Sequence, residues 1–166
     1  MCLDGQRADP QRYTLVPRTL TFLFQADQVL LLKVKRGGWA GLYNGIGGHL
    51  EQGEDPLTAA DRELAEETGL SSVNQRLAGV VTVDTGTTPG IGLFVFVGEA
   101  DPAAVLSGPA GTLEWVPLAE IGRLPHVHDL PFLLARAVSA HEDGGVFFAA
   151  YRYSADGELV ISPGSN

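Results

Sequence analysis

The run GGHLEQGEDPLTAADRELAEETGL at residues 47–70 constrains the fold more than any other stretch, because it carries a glycine turn directly into an acidic amphipathic helix. Asp55 is placed to cap free backbone N–H groups, Pro56 brings the φ suited to a first helical position, and Gly69 ends the run. The spacing predicts a helix from about Pro56 to Thr68. At about 100° per residue, Glu63, Glu66 and Glu67 fall on one third of its circumference. Leu57, Ala60 and Leu64 form the adjoining apolar stripe, so one side packs and its neighbour concentrates negative charge.

That concentration has a cost. Glu63 meets Glu66 at i,i+3 and Glu67 at i,i+4, and each like-charge pair destabilises an isolated helix by about 0.2–0.5 kcal/mol. Arg62 precedes Glu66 by four and can steady that carboxylate, leaving the other two uncompensated. A hard divalent cation such as magnesium, which takes carboxylate oxygens, water and substrate phosphate, would relieve the repulsion. A solvated acidic face is the other reading of the same residues.

The arrangement of Gly48, Glu54, Arg62-Glu63-Leu64, Glu66-Glu67 and Gly69-Leu70 resembles the signature of the Nudix hydrolases at every fixed position over 23 residues. The resemblance implies an α/β fold, a Nudix-type α/β/α sandwich with a mixed central sheet, extending over most of residues 19–163. It implies Mg2+ as cofactor, with Mn2+ as a substitute, held by the Gly47 carbonyl and by Glu63, Glu66 and Glu67. Glu54 and Arg62 would hold the geometry, and Glu66 or Glu67 would take the proton from the attacking water.

Length and composition fit one such domain. With 166 residues, 45% of them apolar, the chain can build one sizeable core, and two domains would each be small. The expectation is a single domain over 14–166 behind a loosely ordered arm at 1–13, acting as monomer or homodimer. A formal charge of −9 argues against a nucleic-acid polymer as partner, though not against a nucleotide bound through cations. Cys2 is the only cysteine, which excludes an intramolecular disulfide and a thiolate zinc site. The opening residues have no basic region leading into an apolar segment, and no apolar run approaches 18 residues. A cytoplasmic protein without a membrane span is expected.

Around the acidic helix the pattern is β-rich. TLTFLF at 19–24 and VLLLKVK at 29–35 read as a hairpin, with apolar continuity that suggests burial on both faces. Lys33, Lys35 and Arg36 form a positive cluster, read either as a charged strand end or as a phosphate contact. Strands are also expected at 77–83 and 91–98, with Phe94 and Phe96 sharing a packed face. Glu99, at the end of the second, is a possible accessory metal ligand or a solvated acid. TLEWVPLAEI at 112–121 resembles the Nudix element in which an acid precedes a strand tryptophan, which makes Glu114 the competing accessory acid.

The glycine-rich loop GGWAGLYNGIGG at 37–48 is costly to order, while its interleaved Trp39, Leu42, Tyr43 and Ile46 give it a packed footing. Tyr43 offers an aromatic surface and Asn44 an amide that both donates and accepts, groups suited to a nucleobase; an Asn-Gly turn explains Asn44 equally well. The stretch KRGGWAGLYNGIGGHLEQGE is similar to the branch that hydrolyses oxidised purine nucleoside triphosphates, in which the asparagine contacts the purine. The chain departs from that branch with Tyr43 in place of a tryptophan, Ile46 in place of the second aromatic and His49 in place of a lysine.

Further on, His126 and His128 are expected to be structural or solvated. Asp129 reads as the cap of a helix whose packing face is Leu130, Leu133, Leu134, Ala137 and Val138. By resemblance to the oxidised-purine branch, Asp129 is also the counterpart of an aspartate that helps read the base. VFFAAYRY at 146–153 and ELVI at 158–161 flank an Asp-Gly turn and read as a hairpin, whose Arg152 and two tyrosines either frame a ligand or merely alternate. The expected activity is Mg-dependent hydrolysis of a nucleoside diphosphate-linked pyrophosphate bond, the leading substrate being an oxidised purine nucleoside triphosphate cut to monophosphate and pyrophosphate. Hydrolysis of ADP-ribose, nucleotide sugars or dinucleoside polyphosphates is the alternative, and a nucleotide sensor without turnover is the alternative of another class.

Overall fold

The computed structural model describes residues 12–101, 103 and 110–164. Cys2, Leu3, most of the expected arm and most of the 100–111 connection lie outside the described residues. The chain runs β1 (Leu15–Gln25), β2 (Gln28–Val34), β3 (Tyr43–Asn44), α1 (Pro56–Thr68), β4 (Arg76–Asp84), β5 (Gly90–Glu99) and β6 (Gly111–Pro117). A 3-10 turn at Leu118–Arg123, α2 (Leu130–Asp143), β7 (Phe147–Tyr153) and β8 (Leu159–Pro163) complete it. The sheet order is β3-β2-β1-β5-β4-β7-β8, with β6 paired along β2. β1 with β5 and β4 with β7 are parallel and the other pairs antiparallel, so the central sheet is mixed as expected.

The described residues hold eight strands, two of which depart from the sequence reading. β3 has two residues, too few to show a period, and β1 starts four residues before its apolar run because Leu15 to Arg18 pair with Gly90 to Leu93. The hairpins β1–β2 and β7–β8 form as expected, and the strands expected at 77–83 and 91–98 pair antiparallel as β4 and β5.

Each face of the sheet carries one helix. Leu20, Phe22 and Phe24 of β1 pack with Val81, Val95, Leu130 and Leu133 on the α2 side, while Leu23 packs with Leu30, Ile46 and Leu64 on the α1 side. Burial on both faces is the physical reason for the unbroken apolar run in β1. The stripe expected on α1 is corrected at one position: Leu57 is 42% exposed, and Ala59 joins Ala60 and Leu64 inside.

Local chemistry fixes where α1 starts and ends. Asp55 Oδ1 accepts from the N–H groups of Leu57 and Thr58 at 2.9 and 3.1 Å. At the other end Gly69 takes φ 72°, and its N–H donates to the Ala65 carbonyl, closing the last turn. A buried relay then ties α1 to the sheet. Thr21 Oγ1 donates to Gln75 Oε1 and Gln75 Nε2 donates to Asp61 Oδ1, both at 2.7 Å. The acidic face is thereby held at a fixed height beside β1.

Candidate active site

The glycine pair ahead of α1 lies against β1 through two bonds: Thr19 N–H donates to the Gly48 carbonyl at 2.9 Å and Thr21 N–H to the Ile46 carbonyl at 2.6 Å. Ladder alternation turns the amide and carbonyl of Gly47 the other way. Close approach requires glycine at Gly47, where the neighbour is backbone, and leaves room at Gly48 only if a side chain shifts. A Cβ at Gly47 would collide with the Thr19 carbonyl oxygen, and one at Gly48 with the Glu63 carboxylate. Glu63 therefore packs directly on backbone.

Arg62 is the hub of this corner. Its Nε and Nη2 grip Glu54 Oε1 and Oε2 at 2.7 and 3.0 Å, Nη2 also donates to the His49 carbonyl at 3.0 Å, and Nη1 donates to Glu63 Oε1 at 3.0 Å. Glu66 lies farther off, 3.6 Å from Nη1, and is exposed. The expected Arg62–Glu66 partnership is thus secondary to the pairs with Glu54 and Glu63. The hydrogen bonds from Arg62, followed by one from the Glu51 N–H at 3.0 Å, hold Glu54 down to a pKa of about 2.

Glu67 has the opposite environment. Burial first, then the charge of Glu63, pushes its carboxyl up to about 7, against the pull of the Gly47 amide; Glu66 adds to the upward push. Its Oε2 is buried and has no partner. An acid in this position gains from a proton or from a cation. The neighbouring donors, Glu63 against Gly48 and the outward-turned carbonyl of Gly47, are hard oxygens of the kind magnesium takes. Among the described residues no group of three or more acidic, histidine or cysteine side chains is gathered closely enough to hold a metal ion by itself.

Gly47 and Gly48 also border a cavity of about 380 Å³ on the α2 side of the sheet. Asn44 and Asp129, both expected at a base, lie in its wall, as do Trp39 and Tyr151. Asn44 Oδ1 accepts from the Gly45 N–H at 2.8 Å, so the turn uses its oxygen while its amide hydrogens remain unspent on that turn. Asp129 stands at the head of α2 without making a side-chain cap, which corrects the expected capping role and leaves its carboxyl to the cavity. Burial raises its pKa, with nearby His128 opposing.

Other expected residues are elsewhere. Tyr43 is 4% exposed, packs in the α2-side core and donates to Glu114 Oε2 at 2.7 Å, so it is not part of the cavity wall. Lys33 lies over the Tyr43 ring at 5.4 Å and is likewise absent from the wall, as are Lys35 and Arg36. Leu113 and Trp115 pack on the α1-side cluster, so Glu114 between them faces away from α1. Glu99 pairs with His141 at 3.4 Å beside Phe24. In the β1–β5 register it lies five residues beyond the partner of Thr19, roughly 16 Å along the strand. Neither accessory acid joins the corner built by Arg62.

Sequence reading passed over Arg18, left Tyr151 open between framing a ligand and mere alternation, and took His128 as structural or solvated. Arg18, just before the expected strand, reaches His49 Nε2 through Nε and Nη2 at 3.0 and 2.7 Å. Tyr151 and His128 line the cavity. The available signal for Tyr151 was its place in the inward series Phe147, Ala149, Tyr151, which puts a hydroxyl on an otherwise apolar face.

The glycine corner, its acidic helix and the mixed sheet define a Nudix-type site. Residues 14–136 match the NUDIX domain model, and the chain belongs to that family. It is 42% identical over 83 residues to an oxidized purine nucleoside triphosphate hydrolase of Danio rerio, a match covering 50% of this chain and 46% of that protein. The chain thus spans about half the length of that relative. An uncharacterized Nudix hydrolase of Bacillus subtilis, YvcI, is 29% identical over 157 residues, 89% of this chain and 93% of its own length. Among solved structures, a MutT protein from Bacillus halodurans superposes with TM-score 0.72 at 29% identity, covering 90% of this chain and 97% of that one.

Proposed function

We propose that the protein is a magnesium-dependent pyrophosphohydrolase acting on nucleoside diphosphate-linked substrates, with an oxidised purine nucleoside triphosphate as the best substrate and a monophosphate and pyrophosphate as products. The observation that carries this reading is the buried, unpartnered oxygen of Glu67 beside Gly47, a residue that also borders the cavity with Asn44 and Asp129 in its wall. The similarity to a relative named for oxidised purine triphosphates supports the choice of substrate.

In this proposal Glu63, Glu66, Glu67 and the Gly47 carbonyl would hold magnesium, which would polarise the phosphate and acidify water when bound. Arg62 fixes Glu63 through the 3.0 Å contact and is itself fixed by Glu54. Glu67, with one oxygen steadied by the Gly47 amide and the other free, is the better set of the two candidate acids to take a proton from the attacking water; exposed Glu66 balances charge. Asn44 and Asp129 orient the base so that the phosphates reach the α1 corner.

A product-resolved screen with magnesium tests this reading, using canonical and oxidised nucleoside triphosphates, dinucleoside polyphosphates, sugar nucleotides and ADP-ribose. Release of pyrophosphate and monophosphate, fastest from an oxidised purine triphosphate, is the expected result. Faster turnover of ADP-ribose or a sugar nucleotide would replace the substrate and keep the hydrolase. Tight binding with no product from any of them would make the domain a sensor.

A further inference from the structure

Tyr151 is 2% exposed, yet its hydroxyl has no hydrogen-bond partner. Its position is firmly determined. β7 pairs in parallel with β4, matching Tyr151 to Val83, and antiparallel with β8, matching it to Ile161. Phe132 of α2 meets the ring edge to face at 5.9 Å. The ring belongs to the cavity wall together with Asp129, on a strand three places across the sheet from β1. The carboxylate of Asp129 is near enough to disfavour a phenolate, after the larger effect of burial.

A buried hydroxyl without a partner destabilises the protein that carries it, by the unrecovered cost of leaving water. Packing does not need it, because phenylalanine would fill the same space against Phe132. The cost is recovered if whatever fills the cavity completes the bond. A carboxylate accepts and a phenol donates, so the pair matches an edge presenting an N–H beside a carbonyl or ring nitrogen.

We propose that Tyr151 is a specificity-determining residue: its hydroxyl and the Asp129 carboxyl together bind the hydrogen-bonding edge of a planar nitrogen heterocycle, favouring purines with an adjacent N–H and carbonyl over bases lacking that edge. This rests on the nucleotide-hydrolase reading for the identity of the ligand. The burial and the missing partner stand without it.

The test compares the parent and Tyr151→Phe with two probes, guanosine triphosphate and the triphosphate of unsubstituted purine riboside, which lacks the N–H and carbonyl edge. Calorimetric binding is measured in chelator, and turnover in magnesium. Tyr151→Phe is expected to weaken guanosine triphosphate binding about tenfold, to raise its KM more than it changes kcat, and to leave the purine riboside probe within about twofold. The melting temperature of the free variant should hold or rise, while the shift produced by guanosine triphosphate shrinks. Equal losses on both probes, or a fall in the melting temperature of the free variant with unchanged discrimination, would make Tyr151 a structural residue. Discrimination that depends on Tyr151 without turnover of either probe would uphold this inference and overturn the purine triphosphate as substrate. Turnover with unaltered discrimination would do the reverse, and failure of the parent to bind either probe would overturn both.

Discussion

Two parts of the site treat polar groups in opposite ways. At the α1 corner Arg62 donates to Glu54, Glu63 and the His49 carbonyl, so the arginine and both acids are tied down. A few residues away Glu67 keeps a buried oxygen without a partner, and across the cavity Tyr151 keeps a hydroxyl in the same condition. Completed networks fix geometry, whereas incomplete ones are costly in the free protein and gain when something binds. The difference separates groups that hold the site from groups that act in it.

If that division is right, neutralising Glu67, the incomplete acid, should affect chemistry before stability and cost more turnover than neutralising its two neighbours on the proposed metal face. Glu67→Gln is expected to lower turnover about a hundredfold or more, with Glu63→Gln and Glu66→Gln each costing at least about tenfold, because charge develops on the transferred phosphoryl group. Circular dichroism of the three variants should remain that of the parent. Magnesium should raise the melting temperature of the parent more than that of any variant. Near-parental kcat in two of the three at saturating magnesium would erase the distinction at this corner.

Asn44 tests the cavity end. Replacing it with alanine should cost about 1–3 kcal/mol of transition-state stabilisation, roughly one to two decades in kcat/KM, on purine triphosphates. The loss should be smaller on a pyrimidine triphosphate, with magnesium dependence unchanged. Its Oδ1 already accepts from the Gly45 N–H, so an equal fractional loss on every substrate would show that the turn, rather than base contact, is its role.

The glycine pair sharpens the contrast further. An added methyl at Gly47 meets the backbone oxygen of Thr19, whereas one at Gly48 meets only the tip of a glutamate side chain. Gly47→Ala should lower the melting temperature, since backbone must move. Gly48→Ala should spare the fold and reduce kcat several-fold by displacing Glu63. Thermal melts and initial rates on the two variants check this, and the reverse order of effects would place the rigid support at Gly48.

These contrasts were unequally visible in the sequence. The bounds of α1 were legible to the residue because cap, proline and terminal glycine are local signals. The apolar runs located most strands. The direction of Tyr43 was not legible: β3 is too short for alternation to show, and tertiary pairing with β2 and packing against Glu114 turned the ring away from the cavity. Glu99 and Glu114 illustrate a second limit, since an acid at a strand end or beside a tryptophan reads the same whichever side of the sheet it faces. Arg62 shows a third. Helical spacing offered Glu66 as its partner, but the loop returns Glu54 close enough for two short bonds, and those dominate. The roles of Asp129 and Tyr151 depended on what lies across a cavity, which no single segment encodes.

The smallest predicted effect concerns the completed side of the comparison. Folded Glu54 is held near pKa 2, below its ordinary value of 4.5, chiefly by hydrogen bonds from Arg62. A carboxylate depressed in this way contributes stability that is fully present above about 4.5 and is lost as the pH falls through about 2. Glu54→Gln removes that contribution at every pH. The parent should therefore melt higher than the variant at neutral pH, by a modest margin because the pair is solvent-accessible. The gap should stay constant down to about pH 5 and close between 4.5 and 2, where the parent loses its charge and the variant has none to lose. Thermal melts of both proteins at half-unit steps, in chelator and at fixed ionic strength, follow the gap directly. A margin that persists unchanged to pH 2 would mean that shape alone holds Arg62, and the arginine corner would no longer be the electrostatically completed half of the site.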